Sequence, residues 1–493
     1  MTGLSLCQRD ICFYLNKQAY SFEQFNADIS QTRQVIRQTH ADSVLLFHQS
    51  SYQFSVGFFA LALESRHIVM PPNAQPQTLM HIASQCQATL GDINVGGLDA
   101  INTPLIDVPL INTTLINESS IAGHNVIATQ IQPLQNRADL FTPLDCQITF
   151  YTSGSTGQHK PIVKRFSQLN CEVDVLINTF TARLDASQLL LSTVSHQHIY
   201  GLLFKLLLPL KSGLAIVNDT FEYPEHISQY LSKEFSKELT EELTEALGHE
   251  LTDDNRQTAL LISSPAHLKR LSLDNVLMVN KAQLQAVFSS GGPLPFEIAK
   301  TLFKQLSQAP IEVFGSTETG GIAWRQCQGS TPSAWQVFPN ISYSVMAETA
   351  QLVLTSPYIN EANYVTEDRV QRIDKQHFAM LGRADRTIKH EEKRINLDHM
   401  ERCLQQHVLV NEVRVLVLDG VKKQVLATVI ELTEAGQVLL NEQSKKSLND
   451  SFKQHLLGEF ERICLPKKWR YPAQMPFNSQ GKLVIKELEK LFD

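Results

Sequence analysis

Short apolar runs alternate with helix-spaced segments along most of this chain, and that alternation limits the folds open to it. Residues 21–37 have helical spacing, 43–48 (Ser-Val-Leu-Leu-Phe-His) form a brief apolar run, 52–63 read as helix, 67–70 as strand and 77–87 as helix again. Such a pattern predicts an α/β fold with a parallel sheet, because consecutive parallel strands need a crossover helix between them. It resumes after Gln147 and is expected to continue to about residue 380. Beyond Arg386 the texture changes: 413–419 and 424–431 read as strands and 444–463 as an amphipathic helix. A smaller α+β domain of about a hundred residues is expected there. The fold class is therefore α/β, a large multi-subdomain N-terminal body of sheets flanked by helices, followed by a small α+β C-terminal domain.

A length of 493 residues corresponds to roughly three domain equivalents, enough to bury a core without disulfide or metal staples. Lys and Arg number 43 against 50 Asp and Glu, a net charge of −7 that argues against a broad nucleic-acid surface. The eight cysteines are scattered and form no CxxC, so they read as reduced core thiols. The most apolar stretch, residues 198–210, spans 13 residues around Lys205, too short to cross a bilayer. The first twenty residues lack the basic region and long apolar run of a signal peptide, so a soluble cytoplasmic location is expected. The charge-dense segment 233–255 reads as a solvated surface helix or insertion.

Four segments carry chemistry. In Ile148-Thr-Phe-Tyr-Thr-Ser-Gly-Ser-Thr-Gly-Gln-His-Lys160, a β-favouring run feeds hydroxyls, glycines and a lysine. Glycine lets the backbone approach phosphate, and hydroxyls and N–H groups supply donors. It is not a Walker A loop, and GxSxG is absent from the chain. In Ile311-Glu-Val-Phe-Gly-Ser-Thr-Glu-Thr-Gly-Gly321, Phe314 can stack on a flat base and Glu318 can hold Mg²⁺ through a hard oxygen. The third segment joins Tyr364-Val-Thr-Glu-Asp368 to Gly382-Arg-Ala-Asp-Arg386; a loop carboxylate at Asp368 can accept ribose hydroxyls. In the fourth, Met475-Pro-Phe-Asn-Ser-Gln-Gly-Lys-Leu483, Lys482 follows a glycine turn. Taken singly, each segment also fits an ordinary surface turn.

In order and spacing, the four together resemble the adenylate-forming (AMP-binding) superfamily of acyl- and aryl-CoA synthetases, acyl-carrier-protein ligases, adenylation domains and luciferases. The resemblance covers residues 145–493, and within the superfamily the chain is similar to ligases of aryl-polyene and related pathways. It implies a large adenylation domain, residues 1–384, and a mobile C-terminal domain, 385–493, hinged at Asp385 and carrying the catalytic Lys482. It implies that Thr152, Ser153, Gly154, Ser155, Thr156, Gly157 and Lys160 form the phosphate loop. His198 and Gly201 would border the acyl pocket, and Gly291 and Gly292 of Ser290-Gly-Gly-Pro-Leu294 would lie beside adenine. Phe314 would stack on adenine, followed by Gly315 and Ser316. Thr317 would contact phosphate, Glu318 bind the metal, and Asp368 and Arg383 hold the nucleotide. His196 is left as a satisfied core histidine.

The implied activity is ATP- and Mg²⁺-dependent conversion of a carboxylic acid to an acyl-AMP, then transfer to the thiol of CoA or of phosphopantetheine on an acyl carrier protein. Residues 192–201 contain no acidic side chain to meet an ammonium group, and Leu202, Leu203, Phe204 and the run Gly320–Ala323 are apolar or small. The expected substrate is thus an apolar or aromatic acid without an α-amine. Two positions depart from the family pattern. Glu367 replaces a usual glycine, giving Thr-Glu-Asp, and Glu392 replaces another beside the pantetheine path. The second adds bulk and negative charge and tips the reading toward a carrier protein. The rival readings are a non-catalytic acyl- or nucleotide-binding homologue and an ATP phosphohydrolase.

Overall fold

Ser21 closes a capping box over the first helix, Phe22–Gln38: its hydroxyl accepts the Gln24 amide at 3.2 Å, and the Gln24 side chain accepts the Ser21 amide at 2.8 Å. Ser50 caps the next helix, Ser51–Leu63, by accepting the Gln53 amide at 3.3 Å. That helix is apolar on all sides and is buried on nearly all of them. The structure is a computed structural model and describes residues 10–102, 131, 134–142, 146–153, 159–232, 258–273, 277–278, 281–390, 393–418, 425–478 and 483–493. The segment 233–255 lies outside the described residues.

The chain divides into two compact units: Met1–Ser333 with Phe338–Asn340 and Pro357–Asn360, and Ala334–Val337 with Ile341–Ser356 and Glu361–Asp493. In the first unit, strands Ile311–Ser316, Leu284–Ser289, Ala259–Ser263, Leu189–Ser192, Ala215–Val217 and Ile11–Leu15 lie side by side in parallel. Antiparallel strands Gly320–Gln326 and Gln18–Ser21 flank them. A second sheet runs Asp99–Ala100, Ala88–Gly91, Ser43–Phe47, His67–Met70, Gln147–Ser153 and His159–Arg165, parallel except for the final pair. Strands covered on both faces read as continuous apolar runs, as Ala259–Ser263 does with every residue buried. The expected α/β class is what the unit shows.

Three boundaries differ from the sequence reading. The helix expected over 77–87 spans Pro76–Ala83, because Gln87 already donates to the Ser43 carbonyl at 2.9 Å and leads into the strand Ala88–Gly91. The helix expected over 444–463 stops at Leu456, with a short 3₁₀ turn at Arg462–Cys464. The helix–strand alternation also ends before residue 380. From Trp335 to Arg383 the described elements are strands, paired antiparallel. Tight connections, marked by left-handed Ala350 (φ 59) and Asn363 (φ 58), are too short for crossover helices. The rest of the second unit packs helices Leu397–Gln405 and Lys445–Leu456 on strands Val410–Leu418, Val425–Leu432 and Lys468–Arg470, around Met400, Phe452 and Trp469. The seven described cysteines are all free, and all but Cys171 are buried, as expected of core thiols.

Candidate active site

Strands Ile311–Ser316 and Gly320–Gln326 form a hairpin whose tip presents Thr317 and Glu318. The register shifts between Phe314 and Gly315, which places Gly315 opposite Gly321. A Cβ at Gly315 would stand 2.0 Å from the Gly320 carbonyl oxygen, so this crossing requires glycine. Gly320 has a φ of +69°. Ser316 and Thr319 knit the turn: the Ser316 amide donates to Thr319 Oγ1 at 3.0 Å, and the Thr319 amide donates to Ser316 Oγ at 3.2 Å. Thr317 and Glu318 remain partly exposed, and Phe314 is half-buried. Behind them, buried Glu312 makes a bidentate pair with Arg325, both contacts at 2.8 Å, which holds the two strands in register.

The Glu318 carboxylate makes no hydrogen bond or ion pair among the described residues. No group of three or more His, Cys, Asp or Glu capable of holding a metal occurs among them. One partly exposed carboxylate fits Mg²⁺, which keeps waters and takes phosphate oxygens rather than a protein cage.

Two charged side chains lie beneath this turn. Lys164, on strand His159–Arg165, is 4% exposed; its Nζ donates to the Glu318 carbonyl at 2.6 Å and the Tyr358 carbonyl at 2.7 Å. Glu172, on helix Phe166–Asp185, is 2% exposed and accepts the Gly321 amide at 2.6 Å. Burial pulls the Lys164 ammonium down to about 8 and pushes the Glu172 carboxyl up to about 7. Tyr358 is itself fixed, its hydroxyl meeting the Asn340 side-chain amide at 2.9 Å.

The turn at Ser290 is tied to the same strand, since its hydroxyl donates to the Val313 carbonyl at 2.8 Å. Gly291 and Gly292 are exposed there, Gly291 with a φ of +88°. His198 precedes the helical segment that begins at Ile199. A Cβ at Gly201 would lie 1.9 Å from the Ser195 carbonyl oxygen, which explains the glycine in His-x-x-Gly. Leu202, Leu203 and Phe204 are buried, and Phe204 packs on Phe288 at 5.4 Å. His196 is a buried structural residue: Nδ1 meets Ser51 Oγ at 3.1 Å and Nε2 the His48 carbonyl at 2.9 Å. Burial holds its pKa well below the usual histidine value.

In the second unit Asp368 sits within strand Tyr364–Arg372, not in the loop expected from sequence. It faces Arg383 across the register because Ala384 donates back to the Glu367 carbonyl and extends the pairing. Arg383 Nη1 lies 3.7 Å from Asp368 Oδ1 and binds Asp385 through Nε (2.9 Å) and Nη2 (2.8 Å). Burial raises the Asp368 carboxyl against the opposing pull of Arg383. Asp368, Arg383 and Asp385 thus form one cluster. Glu367 points outward, so the departure from glycine leaves Asp368 in place. Arg386 turns the other way, into Asp398 Oδ1 (2.9 Å), Glu401 and the Val415 carbonyl (2.9 Å).

Gly154, Ser155, Thr156 and Gly157, the side chains of Thr152 and Ser153, Glu392 and Lys482 lie outside the described residues. Lys160 is exposed, opposite Thr152 in the hairpin register.

Sequence reading missed Lys164, Glu172 and Thr319. One signal existed: Glu172 falls on the apolar stripe Phe166, Leu169, Val173 and Leu176, where a carboxylate needs a partner. Lys164 was masked by its neighbour, because Val163 is the exposed residue and Lys164 the buried one, the reverse of what polarity suggests.

The sequence profile described as AMP-binding enzyme matches residues 7–355. The 4-coumarate–CoA ligase of Rhodobacter capsulatus is 23% identical over 337 residues, 68% of this chain and 74% of that protein. Malpinin synthetase of Mortierella alpina is 29% identical over 145 residues, 29% of this chain, and the match spans 2% of that protein's length. Among solved structures, ATP-bound MatB from Rhodopseudomonas palustris aligns with a TM-score of 0.73 at 14% identity, covering 98% of this chain and 96% of that one. The profile spans well over half of the chain, and on that ground the chain belongs to the AMP-binding enzyme family.

Proposed function

We propose that the protein activates a carboxylic acid as an acyl-AMP, releasing pyrophosphate, and transfers the acyl group to a phosphopantetheine thiol, that of CoA or of a carrier protein. The observation that carries this reading is the braced hairpin tip, where a half-buried aromatic, a threonine and an unengaged carboxylate follow one another at Phe314, Thr317 and Glu318. A carboxylate is a poor acyl donor because its leaving group would be oxide. Its attack on the α-phosphorus of ATP expels pyrophosphate, and AMP then becomes the leaving group when the thiol attacks the carbonyl carbon.

Two anions must meet in the first step, so charge must be offset where it accumulates. Lys482 would bridge the acid carboxylate and the α-phosphate. Residues 152–157 and Lys160 would hold the β- and γ-phosphates. Bound Mg²⁺ supplies further positive charge against the phosphate oxygens, and Glu318 is the residue that would hold it. Asp368 would accept the ribose hydroxyls beside Arg383. The acid would lie along His198–Phe204, and the absence of any acidic residue in 192–201 favours an apolar or aromatic acid over an amino acid.

Asp385 would be the hinge of a C-terminal domain, 385–493. In support, Asp385 is held from the N-terminal side by Arg383, while Arg386 is bonded into the helix Leu397–Gln405 and strand Val410–Leu418. Glu392 stands where the family pattern has a glycine expected to border the thiol path, and a negative side chain there would favour a carrier protein over free CoA.

A screen of aliphatic, hydroxylated and aromatic acids for pyrophosphate release, with CoA and with carrier protein, tests the proposal. AMP and pyrophosphate appearing only with an acid support it. Acid-independent release of inorganic phosphate points to a phosphohydrolase, and no product with any acid to a binding homologue.

A further inference from the structure

Lys164 and Glu172 are two buried charges, eight positions apart in sequence, beneath the turn that carries Glu318. Buried charges of opposite sign are usually paired. Here they form no ion pair with each other. Lys164 spends its donors on the carbonyls of Glu318 and Tyr358, and Glu172 spends its acceptor on the Gly321 amide. The two ends of the 318–321 turn are therefore held by side chains from one continuous stretch, the end of strand His159–Arg165 and the first turns of helix Phe166–Asp185. The glycines record the same contact: a Cβ at Gly320 would stand 2.5 Å from Glu172 Oε2, and one at Gly321 3.0 Å from Oε1.

We propose that Lys164 and Glu172 are positioning residues that fix the Glu318 turn for the metal-bound nucleotide. The inference rests on the assignment of Glu318 as the metal-holding residue. Neither side chain touches substrate; each acts through backbone groups of the turn. The stretch that bears them begins seven positions after 152–157, the proposed phosphate loop. Residues that orient a metal-holding group typically change metal affinity by about 10–100-fold when lost.

The experiment is equilibrium binding of ATP, by calorimetry, with Mg²⁺ and with EDTA, to wild type, Lys164→Met, Glu172→Gln and Glu172→Leu. In wild type Mg²⁺ strengthens ATP binding. In Lys164→Met and Glu172→Leu that gain should fall about tenfold, with ATP affinity in EDTA changed less than about twofold. Glu172→Gln retains an oxygen to accept the Gly321 amide and should stay within about twofold of wild type. An undiminished gain in Lys164→Met overturns the proposal. So does a Glu172→Gln loss as large as that of Glu172→Leu, because the carboxylate would then act by charge. If Lys164→Met does not fold, Lys164→Met/Glu172→Gln, which buries neither charge, takes its place with the same expected loss. A wild type that binds MgATP but releases no pyrophosphate with any acid defeats the proposed function and leaves the brace measurable. A wild type that binds no ATP defeats both.

Discussion

Lys482 and Glu318 would both serve to offset phosphate charge, the first as a cation and the second by holding Mg²⁺. Glu318 stands on a turn stitched by Ser316 and Thr319 and crossed at Gly315. Lys482 follows a glycine in the C-terminal segment. If it bridges carboxylate and α-phosphate, Lys482→Ala should lower acid-dependent pyrophosphate exchange by on the order of 10²-fold or more, as for loss of a charge-stabilising donor. Near wild-type exchange would remove it from the mechanism. At this scale the candidate site was legible where its residues are consecutive. Phe314, Thr317 and Glu318 stand in one run, and Asp368 and Arg383 sit at a fixed spacing. Lys164 and Glu172 were not readable, because what they hold lies about 150 positions away and only the packing of strand against hairpin brings it near.

Among the elements, the apolar stretch after His198 has the most unusual interior. It includes a π-helical segment, Leu202–Leu207, within which Lys205 is completely buried. Its ammonium donates to Thr220 Oγ1 at 2.7 Å and lies 3.4 Å from the carbonyls of Asn218 and Asp219. Burial lowers its pKa to about 7, against the pull of the Asp219 carboxylate. A lysine whose folded pKa is depressed holds fewer protons in the native than in the unfolded state between about pH 7 and its ordinary value near 10.4. Its contribution to stability therefore rises with pH across that window, by up to about 1.4 kcal/mol per pH unit. Below about pH 7 it is charged in both states and the slope vanishes. Lys205→Met should remove this rise, so the melting-temperature difference between wild type and variant should shift in favour of wild type from pH 7 to pH 9. A difference that stays constant would show that Lys205 is not buried as a titrating amine.

Element types were legible where periodicity was strong: the helix expected over 21–37 is Phe22–Gln38, and the strand expected over 67–70 is His67–Met70. The antiparallel run from Trp335 to Arg383 was not, because its short strands carry half-exposed faces that blur the apolar pattern. Placing Asp368 in a loop was the direct consequence, since the strand continues through it by pairing with Arg383.

For the whole molecule, acid activation and thioester formation would be two steps on one chain. Adenylation would place Lys482 near the phosphates, and thioester formation would need the thiol to reach the same carbonyl. A hinge at Asp385 would separate them. The Arg383 guanidinium binds Asp385 and lies 3.7 Å from Asp368, the Arg386 guanidinium binds Asp398 and Glu401, and the Arg383 amide also donates to Asp398 at 3.2 Å. Asp385→Pro should then preserve pyrophosphate exchange and impair thioester formation. Equal losses in both half-reactions would argue against a hinge. Composition set useful bounds here: a net charge of −7 argues against a broad cationic surface, and the positive charge that ATP requires would be local, at Lys160, Arg383 and Lys482.

Acid activation through an acyl-AMP leaves an isotopic signature in the nucleotide product. The protein is incubated with ATP, Mg²⁺, thiol acceptor and a carboxylic acid labelled with ¹⁸O in its carboxylate, and the nucleotide product is weighed by mass spectrometry. Attack of the carboxylate on the α-phosphorus leaves an acid oxygen bridging carbon and phosphorus, and thiol attack at the carbonyl carbon releases that oxygen with the nucleotide. AMP carrying a single ¹⁸O is the expected product. Unlabelled AMP, or ADP with inorganic phosphate, would contradict acid activation through an acyl-AMP.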